Sequence, residues 1–575
     1  MIHGLLSFAV ALVLGLIRLA FHDPVAFLAL AAVLAVPVLF WRLVLSGNAQ
    51  ARRRARALKW RIRLRLRPGA GFASLAELVF RWGRLAAVRH GRRARPGLTA
   101  RQRMFLVPVT AYSVRLGRAQ YCRRVFARME DQCLILAPQR TGKSGIIADR
   151  LLDHPGPAIV TSTRADLYRL TAGARSQRGP VYVFNPQGVG GIPSTFAFDL
   201  LSPCRDLVMA RRMAGWLTGA MASAGESHGN LEWFENAADA AMMACLHAAA
   251  IGGYTITDVY GWTQLKGHEI PQRILAGRPG CELLAATLDR TFKDNRTAGS
   301  IRESMALSLA WATIPQMAAA ATPPPGKGFD LAEFIRCSGT LYLVAAGDED
   351  SPVAPLFAAF VTWITVEAGQ LGSLTRAGKL DPPLWLGLDE VTQICPVPLP
   401  LMLADSAGKG VLITAVAHGT SQLADRWGER GAKTVWACCG TKVILGGISD
   451  AQTLKDISDL CGTVAVGDGD KLLPVVPPEL VRGLPDWRAL VIRMNLNPAV
   501  VKFRPAWKRL GHRFGRRGDV PRPRLGEVLE REPAPAEVLP ALTEADYDRL
   551  LNREPGTFPL PSGPDPAAFR KGRPS

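Results

Sequence analysis

One stretch, LILAPQRTGKSGII at residues 134–147, limits what this chain can fold into more than any other. The apolar run at 133–136 reads as a buried strand, the apolar stretch at 146–152 reads as a helix, and Gly142-Lys143-Ser144 stands between them. A turn in that place points backbone N–H groups inward around phosphate oxygens, and the helix N-terminus adds its partial positive charge. In the pattern G-x-x-x-x-G-K-[ST] the lysine reaches the outer phosphates and the hydroxyl meets Mg²⁺. Ala137 replaces the first glycine and suits that position if its φ is negative. Ala137, Pro138, Gln139, Arg140, Thr141, Gly142, Lys143, Ser144 and Gly145 are therefore the expected nucleotide cradle.

Such a cradle needs an acid at the end of a second buried strand. LWLGLDEV supplies Asp389, which together with Ser144 is the expected metal site, and Glu390, placed to polarise an attacking water. With both halves present, ATP hydrolysis is the expected chemistry, with ATP and Mg²⁺ as cofactors.

Around these motifs the chain alternates. CLILA, AIVTS and VYVFNP are separated by helical stretches, which is the β-α-β-α-β order of a parallel sheet. Residues 206–335 carry Ala, Met and Leu at helical spacing, as in ENAADAAMMACLHAAA, and read as an all-helical insertion with Met242 and Met243 in its core. Strands return with TLYLVAA, LWLGLDE, VLITAVA and TKVILGG. The predicted segments are 1–47, a transmembrane hairpin; 48–100, a basic juxtamembrane linker; 101–205 and 336–510, the two parts of a P-loop NTPase domain; 206–335, all-α; and 511–575, a Pro-rich flexible tail.

Charge separates the N-terminal quarter from the rest. Residues 51–128 hold twenty-two Lys and Arg against one acid, Glu77, so this segment carries nearly all of the formal +22 and the remainder is close to neutral. Residues 5–21 and 25–45 are apolar runs near the length needed to cross a bilayer, parted by His22-Asp23-Pro24. By the positive-inside rule the following ARRRARALKWRIRLRLR lies on the cytoplasmic side, where anionic lipid is favoured over DNA as its partner. The expected location is the cell's inner or plasma membrane, multi-pass, with the bulk of the chain cytoplasmic. The ten cysteines show no metal or disulfide spacing, and Cys438-Cys439 reads as strand filling.

Taken in order, APQRTGKS, AIVTSTRADLYRLTAGARSQRGPVYVFNP, the helical insertion, LWLGLDEV, AVAHGTSQLADRWG and VPPELVRGLPDWRALVIRMNLNPA resemble the TraG/TraD family of type IV coupling proteins. The resemblance implies an α/β, RecA-like motor with a parallel-rich central sheet, an inserted all-α domain, a membrane anchor and a homohexameric assembly. It implies single-stranded DNA, a relaxase and type IV secretion channel proteins as partners. Within it His418 takes the place of a glutamine that senses the γ-phosphate, and Gln422 is retained, so both join Lys143, Asp389 and Glu390 as candidate catalytic residues. Where members carry an arginine that reaches a neighbour's site, DSAGKGV offers Lys409; Arg426, Arg430 or an arginine in the N-terminal strands are the alternatives. Trp233 and Glu235 read as helix packing, the turn at 347–352 as a plain loop, and Arg296 and Arg302 as facing solvent or a pore. Two other readings of the whole stay open: a nucleotide-binding docking receptor with little turnover, and an export ATPase for protein effectors.

Overall fold

The computed structural model describes residues 71–509 except 222–228, 265–266, 294, 325–327, 348–351 and 467–470, and gives no side chains at 229–235, 295–296, 466 or 471. These residues all lie in the second of two compact units, Pro68–Ser575. The expected hairpin at 1–47, the arginines at 52–67, the tail at 511–575, the side chains of Trp233, Glu235 and Arg296, and most of the 347–352 turn fall outside the described residues.

One sheet organises this unit. Its strands are β1 (Ser113–Arg118), β2 (Arg124–Arg128), β3 (Cys133–Leu136), β4 (Ala158–Ser162), β5 (Val181–Phe184), β6 (Thr340–Val344), β7 (Leu384–Leu388), β8 (Val411–Ala417) and β9 (Thr441–Leu445), and, after a separate ribbon of β10 (Thr463–Val466) and β11 (Lys471–Pro474), β12 (Arg488–Arg493) and β13 (Leu496–Lys502). The order across it is β2-β1-β13-β12-β9-β3-β8-β7-β4-β6-β5. From β9 to β5 all neighbours are parallel, while β12, β13, β1 and β2 extend the sheet in antiparallel fashion. The central strands β3, β4, β6, β7, β8 and β9 are buried at every position, which explains their unbroken apolar sequences: helices cover both faces.

The helices before the insertion are α1 (Leu75–Phe80), α2 (Arg84–Ala94), α3 (Lys143–Asp153) and α4 (Asp166–Arg175). Residues 48–100 therefore do not remain a linker throughout. Phe72, Leu78 and Trp82 are buried, and Arg95 ion-pairs with Asp381 across the unit, so this basic stretch packs its apolar face into the fold. Arg175, fully buried on α4, donates from its guanidinium to the carbonyls of His154 at 2.7 Å and Gly156 at 2.8 Å, fixing α4 against the end of α3.

Between β5 and β6 the chain is helical: α5 (Leu207–Gly219), α6 (Gly229–Gly252), α7 (Ile256–Trp262), α8 (Glu269–Ala276), α9 (Glu282–Lys293), α10 (Asn295–Ser308), α11 (Pro315–Ala320) and α12 (Leu331–Arg336). Buried alanines on α6 (238, 241, 244, 248 and 249) let its neighbours approach closely, with Met242 beside them in the core and Met243 only half-buried. Thr255 and Asp258 cap α7 reciprocally. Arg302 does not face solvent. Its guanidinium lies 4.8 Å from the centre of the Phe292 ring, and burial pulls its pKa down.

The remaining helices used below are α13 (Ala354–Ser373), α14 (Leu399–Asp405), α15 (Thr420–Cys438) and α16 (Ala451–Cys461). Among the described residues α13 is the one helix long and apolar enough to span a membrane, and it is a core helix, with most of that window buried. Cys438 closes α15 and Cys439 caps it, so the pair marks a helix end and not strand filling.

Candidate active site

The strands β3, β8 and β7 lie side by side and parallel, so their C-terminal ends open on one rim. In parallel sheets that rim is where ligands bind. Three sequence-distant segments meet there: the 137–145 loop after β3, Asp389-Glu390 after β7, and His418 after β8.

The loop is held by its own backbone. Ala137 donates its N–H to the Ala417 carbonyl at 3.0 Å, extending the ladder by one residue, and it keeps a negative φ. Thr141 Oγ1 donates to the Pro138 carbonyl at 2.7 Å. Arg140 at φ 61° and Gly142 at φ 96° turn the chain into α3. A side chain at 142 would also collide, because its Cβ would lie 2.8 Å from the Trp487 ring. Gly142 is the N-cap of α3 and offers no side-chain acceptor, so no protein side chain competes for the positive end of the helix. Gln139 and Arg140 are exposed on the outer side of the loop, and Gly145 packs inward against Trp507.

Lys143 ion-pairs with Glu390, and its Nζ is 3.9 Å from Asp389 Oδ1. Ser144 Oγ donates to Asp389 Oδ2 at 3.3 Å. Asp389 is only 3% exposed, and its Oδ1 has no hydrogen-bond partner. Burial pushes its carboxyl up to about 6; Lys143 works against this and Glu390 adds to it. A buried carboxylate with a spare oxygen, beside a hydroxyl, is short of positive charge. Hard oxygen donors of this kind suit Mg²⁺, with phosphate and water completing its shell, so the residues present fit the expected cation.

Glu390 is set at φ 49°, a left-handed conformation costly for a side chain with a Cβ and most often met at functional positions. Burial alone would raise its pKa, but His418 and Lys143 outweigh burial and bring it down to about 2. The His418 ring stands between two acceptors: Nδ1 is 3.0 Å from the Ala137 carbonyl and Nε2 is 3.2 Å from Glu390 Oε2. Its pKa is raised, first by the bond to Glu390 and then by the carbonyl, with burial opposing. Gln422 does not face the acids. Its Oε1 accepts the His418 backbone N–H at 2.9 Å and so fixes the strand-end turn.

The candidate trans arginines fare differently from one another. Arg426 donates to the Gly219 carbonyl at 3.1 Å and also to that of Ala220, so α15 uses it to grip the end of α5. Lys409 is paired with Asp405 on its own surface turn. Arg430 is exposed.

Motif reading passes over four contributors. Thr161 Oγ1 donates to the Asp389 backbone carbonyl at 2.8 Å, and its only sequence signal is a polar residue inside the buried AIVTS strand. Trp487 and Trp507, with ring centres 5.4 Å apart, back the loop at Gly142 and Gly145. Asp149 on α3 is gripped by Arg115 at 3.0 Å and Arg509 at 2.6 Å, contacts between segments whose pairing no local pattern reveals.

Residues 383–471, which span Asp389, Glu390, His418 and Gln422, match the family model described as the TraM recognition site of TraD and TraG. Through this segment the chain is similar to the TraG/TraD family. Three solved structures share its fold, each aligned over 66% of this chain. The bacterial conjugative coupling protein TrwBdeltaN70, unbound, is 20% identical over 86% of its length with a TM-score of 0.51. Plasmid coupling protein TrwB with the GTP analogue GDPNP is 18% identical over 88% of its length, TM-score 0.50. The same protein with the ATP analogue ADPNP is 20% identical over 88%, TM-score 0.50. No curated protein matches the sequence. The likeness to TraG/TraD proteins thus lies in the segment that holds half of the site, and the solved structures share the fold.

Proposed function

We propose that this protein is an ATPase motor that recruits a relaxase–DNA substrate and moves single-stranded DNA toward a type IV secretion channel, as a membrane-anchored homohexamer. The observation that carries the reading is the convergence of Lys143, Ser144, Asp389, Glu390 and His418 on one rim. The solved TrwB complexes hold ATP and GTP analogues on the same fold, which supports a nucleotide here.

The residues suggest how turnover is controlled. While Lys143 pairs with Glu390, the carboxylate is a weak base, its pKa held near 2. When a nucleotide enters, Lys143 turns to its phosphate oxygens, which removes one of the two partners that hold the Glu390 pKa down and so raises its basicity toward a water, with His418 remaining as the other partner. Ser144 and Asp389 would hold Mg²⁺, which would supply positive charge beside the transferred phosphoryl group. His418, between the Ala137 carbonyl and Glu390, positions the base relative to the loop. The description of the 383–471 family model supports a TraM-like partner, which would dock on the exposed parts of that segment.

The purified full chain is expected to hydrolyse ATP faster with single-stranded DNA, and Lys143→Ala to lose about 10²-fold or more of that rate. Undiminished turnover in Lys143→Ala would remove the motor reading. One observation favours the docking-receptor alternative: Arg426 is already engaged by the α5 carbonyls. If Glu390→Gln transfers DNA as well as wild type, the receptor reading replaces the motor.

A further inference from the structure

Far from the rim, at the turn joining β12 to β13, Arg81, Arg89, Arg128 and Arg493 line a cavity of about 200 Å³ together with His90 and Asn495. No acid lines it. The nearby Asp131 is already held by Arg493 Nε at 3.0 Å and Thr441 Oγ1 at 3.2 Å. Arg128 Nε is buried without a hydrogen-bond partner, and Arg81 has only a 3.5 Å contact with Asn495. The mutual repulsion registers on the neighbours: His90 is pushed down by burial and then by Arg128, Arg493 and Arg89. Arg493 is also bound to the Phe126 carbonyl at 3.2 Å, and Glu77, which lines the adjoining cleft beside Arg81, is engaged by Asn497, so the guanidinium groups of Arg81, Arg89 and Arg128 are left to call for an anion with several acceptor oxygens, and their planar forks match a phosphate.

Apolar side chains are exposed in the wall of the cavity and on neighbouring stretches of the chain. Phe80 and Met494, which line it, are 58% and 57% exposed. Leu75 and Leu85 stand out from α1 and α2, and Phe105, at 74%, and Leu106 from the turn after them. Arg84 ties that turn to α2 through the Met104 carbonyl at 2.6 Å. Exposed Phe and Leu around arginines are the composition of a surface that meets the bilayer interface. A nucleic-acid strand would instead ask for cations repeating along a groove, with aromatic faces for its bases.

We propose that this cavity binds the phosphate of an anionic phospholipid headgroup while its apolar surroundings enter the membrane interface. The residues named for the site are other than those of the basic run at 52–67, and the binding does not depend on nucleotide turnover.

The test is native mass spectrometry of the full chain in non-ionic detergent, with dioctanoyl phosphatidylglycerol, dioctanoyl phosphatidylcholine and inorganic phosphate as probes. One phosphatidylglycerol per chain is expected to be retained, phosphatidylcholine lost, and inorganic phosphate unable to displace the lipid at equal concentration. Arg81→Gln with Arg89→Gln, both exposed in the folded chain, should weaken retention about tenfold or more. Arg128→Gln should act in the same direction, and Arg211→Gln with Arg212→Gln, on α5, should leave retention unchanged. Melting temperatures confirm that the variants fold. Full retention in both the double variant and Arg128→Gln overturns the proposal. Displacement by inorganic phosphate overturns the lipid assignment in favour of a free anion, and displacement by a single-stranded oligonucleotide overturns it in favour of nucleic acid. If Phe105→Ser with Leu106→Ser dissociates an oligomer and leaves lipid retention intact, the apolar surroundings belong to a chain–chain interface, and the membrane part fails.

Discussion

At the residue scale, His418 joins the loop after β3 to the acid after β7. An imidazole between a carbonyl and a carboxylate is held protonated more firmly than in the unfolded chain, where its value is near 6.5. A raised folded value means that its contribution to stability is complete below about pH 6.5 and fades as pH rises through the higher folded value. Glu390, with its folded value near 2, contributes above its ordinary 4.5 and is lost only in strong acid, so it does not titrate in the same window. His418→Ala should therefore lower the melting temperature most near about pH 6, with the gap from wild type shrinking toward about pH 9. A gap that widens with pH would contradict the His418–Glu390 pairing. The loop and the two acids were legible because each is a short pattern fixed by local geometry. That Lys143 lies on Glu390, or that Gln422 turns to a backbone N–H, was not, since both depend on which strands the sheet makes adjacent.

At the element scale, α15 joins the catalytic rim to the helical region. It begins two residues after His418, breaks at Gly428, where φ is 69°, and between these points Arg426 grips the C-terminal end of α5. Nothing in the sequence of this stretch shows that grip. Burial lowers the Arg426 pKa to about 10, as for a guanidinium spent on carbonyls and withdrawn from water. Arg426→Ala should strip two carbonyls of their donor and cost about 1–3 kcal/mol in a denaturant titration. Lost ATPase with unchanged stability would instead show that this arginine serves a neighbour's site. The helices at 75–94 give the converse lesson: the amphipathic spacing of LAELVFRWGRLAAV marks an apolar face, but Trp82 can be placed in a core only once β2 is known to pass beneath it, where the Trp82 carbonyl accepts the Phe126 N–H at 2.9 Å.

At the scale of the whole molecule, the parallel part of the sheet follows from alternating strands and helices, which is why it could be read in advance. The antiparallel extension could not. It is assembled from β1 and β2, before the loop, and β12 and β13, at the far end of the described chain, and such a pairing carries no local signature. Arg493 and Asp131, exposed by only 4% and 6%, lock this extension to the start of β3. Arg493→Met should strand a buried carboxylate and cost about 3–5 kcal/mol, seen as a lower unfolding midpoint. A change under about 1 kcal/mol would show that the extension is held chiefly by its apolar contacts. The same arrangement brings Arg509 onto Asp149 and Asp153 of α3, with Trp507 against Gly145. Whatever tugs on the chain past Arg509 therefore pulls on the very helix that cradles phosphate, and a partner holding that leash could throttle the engine without touching its fuel.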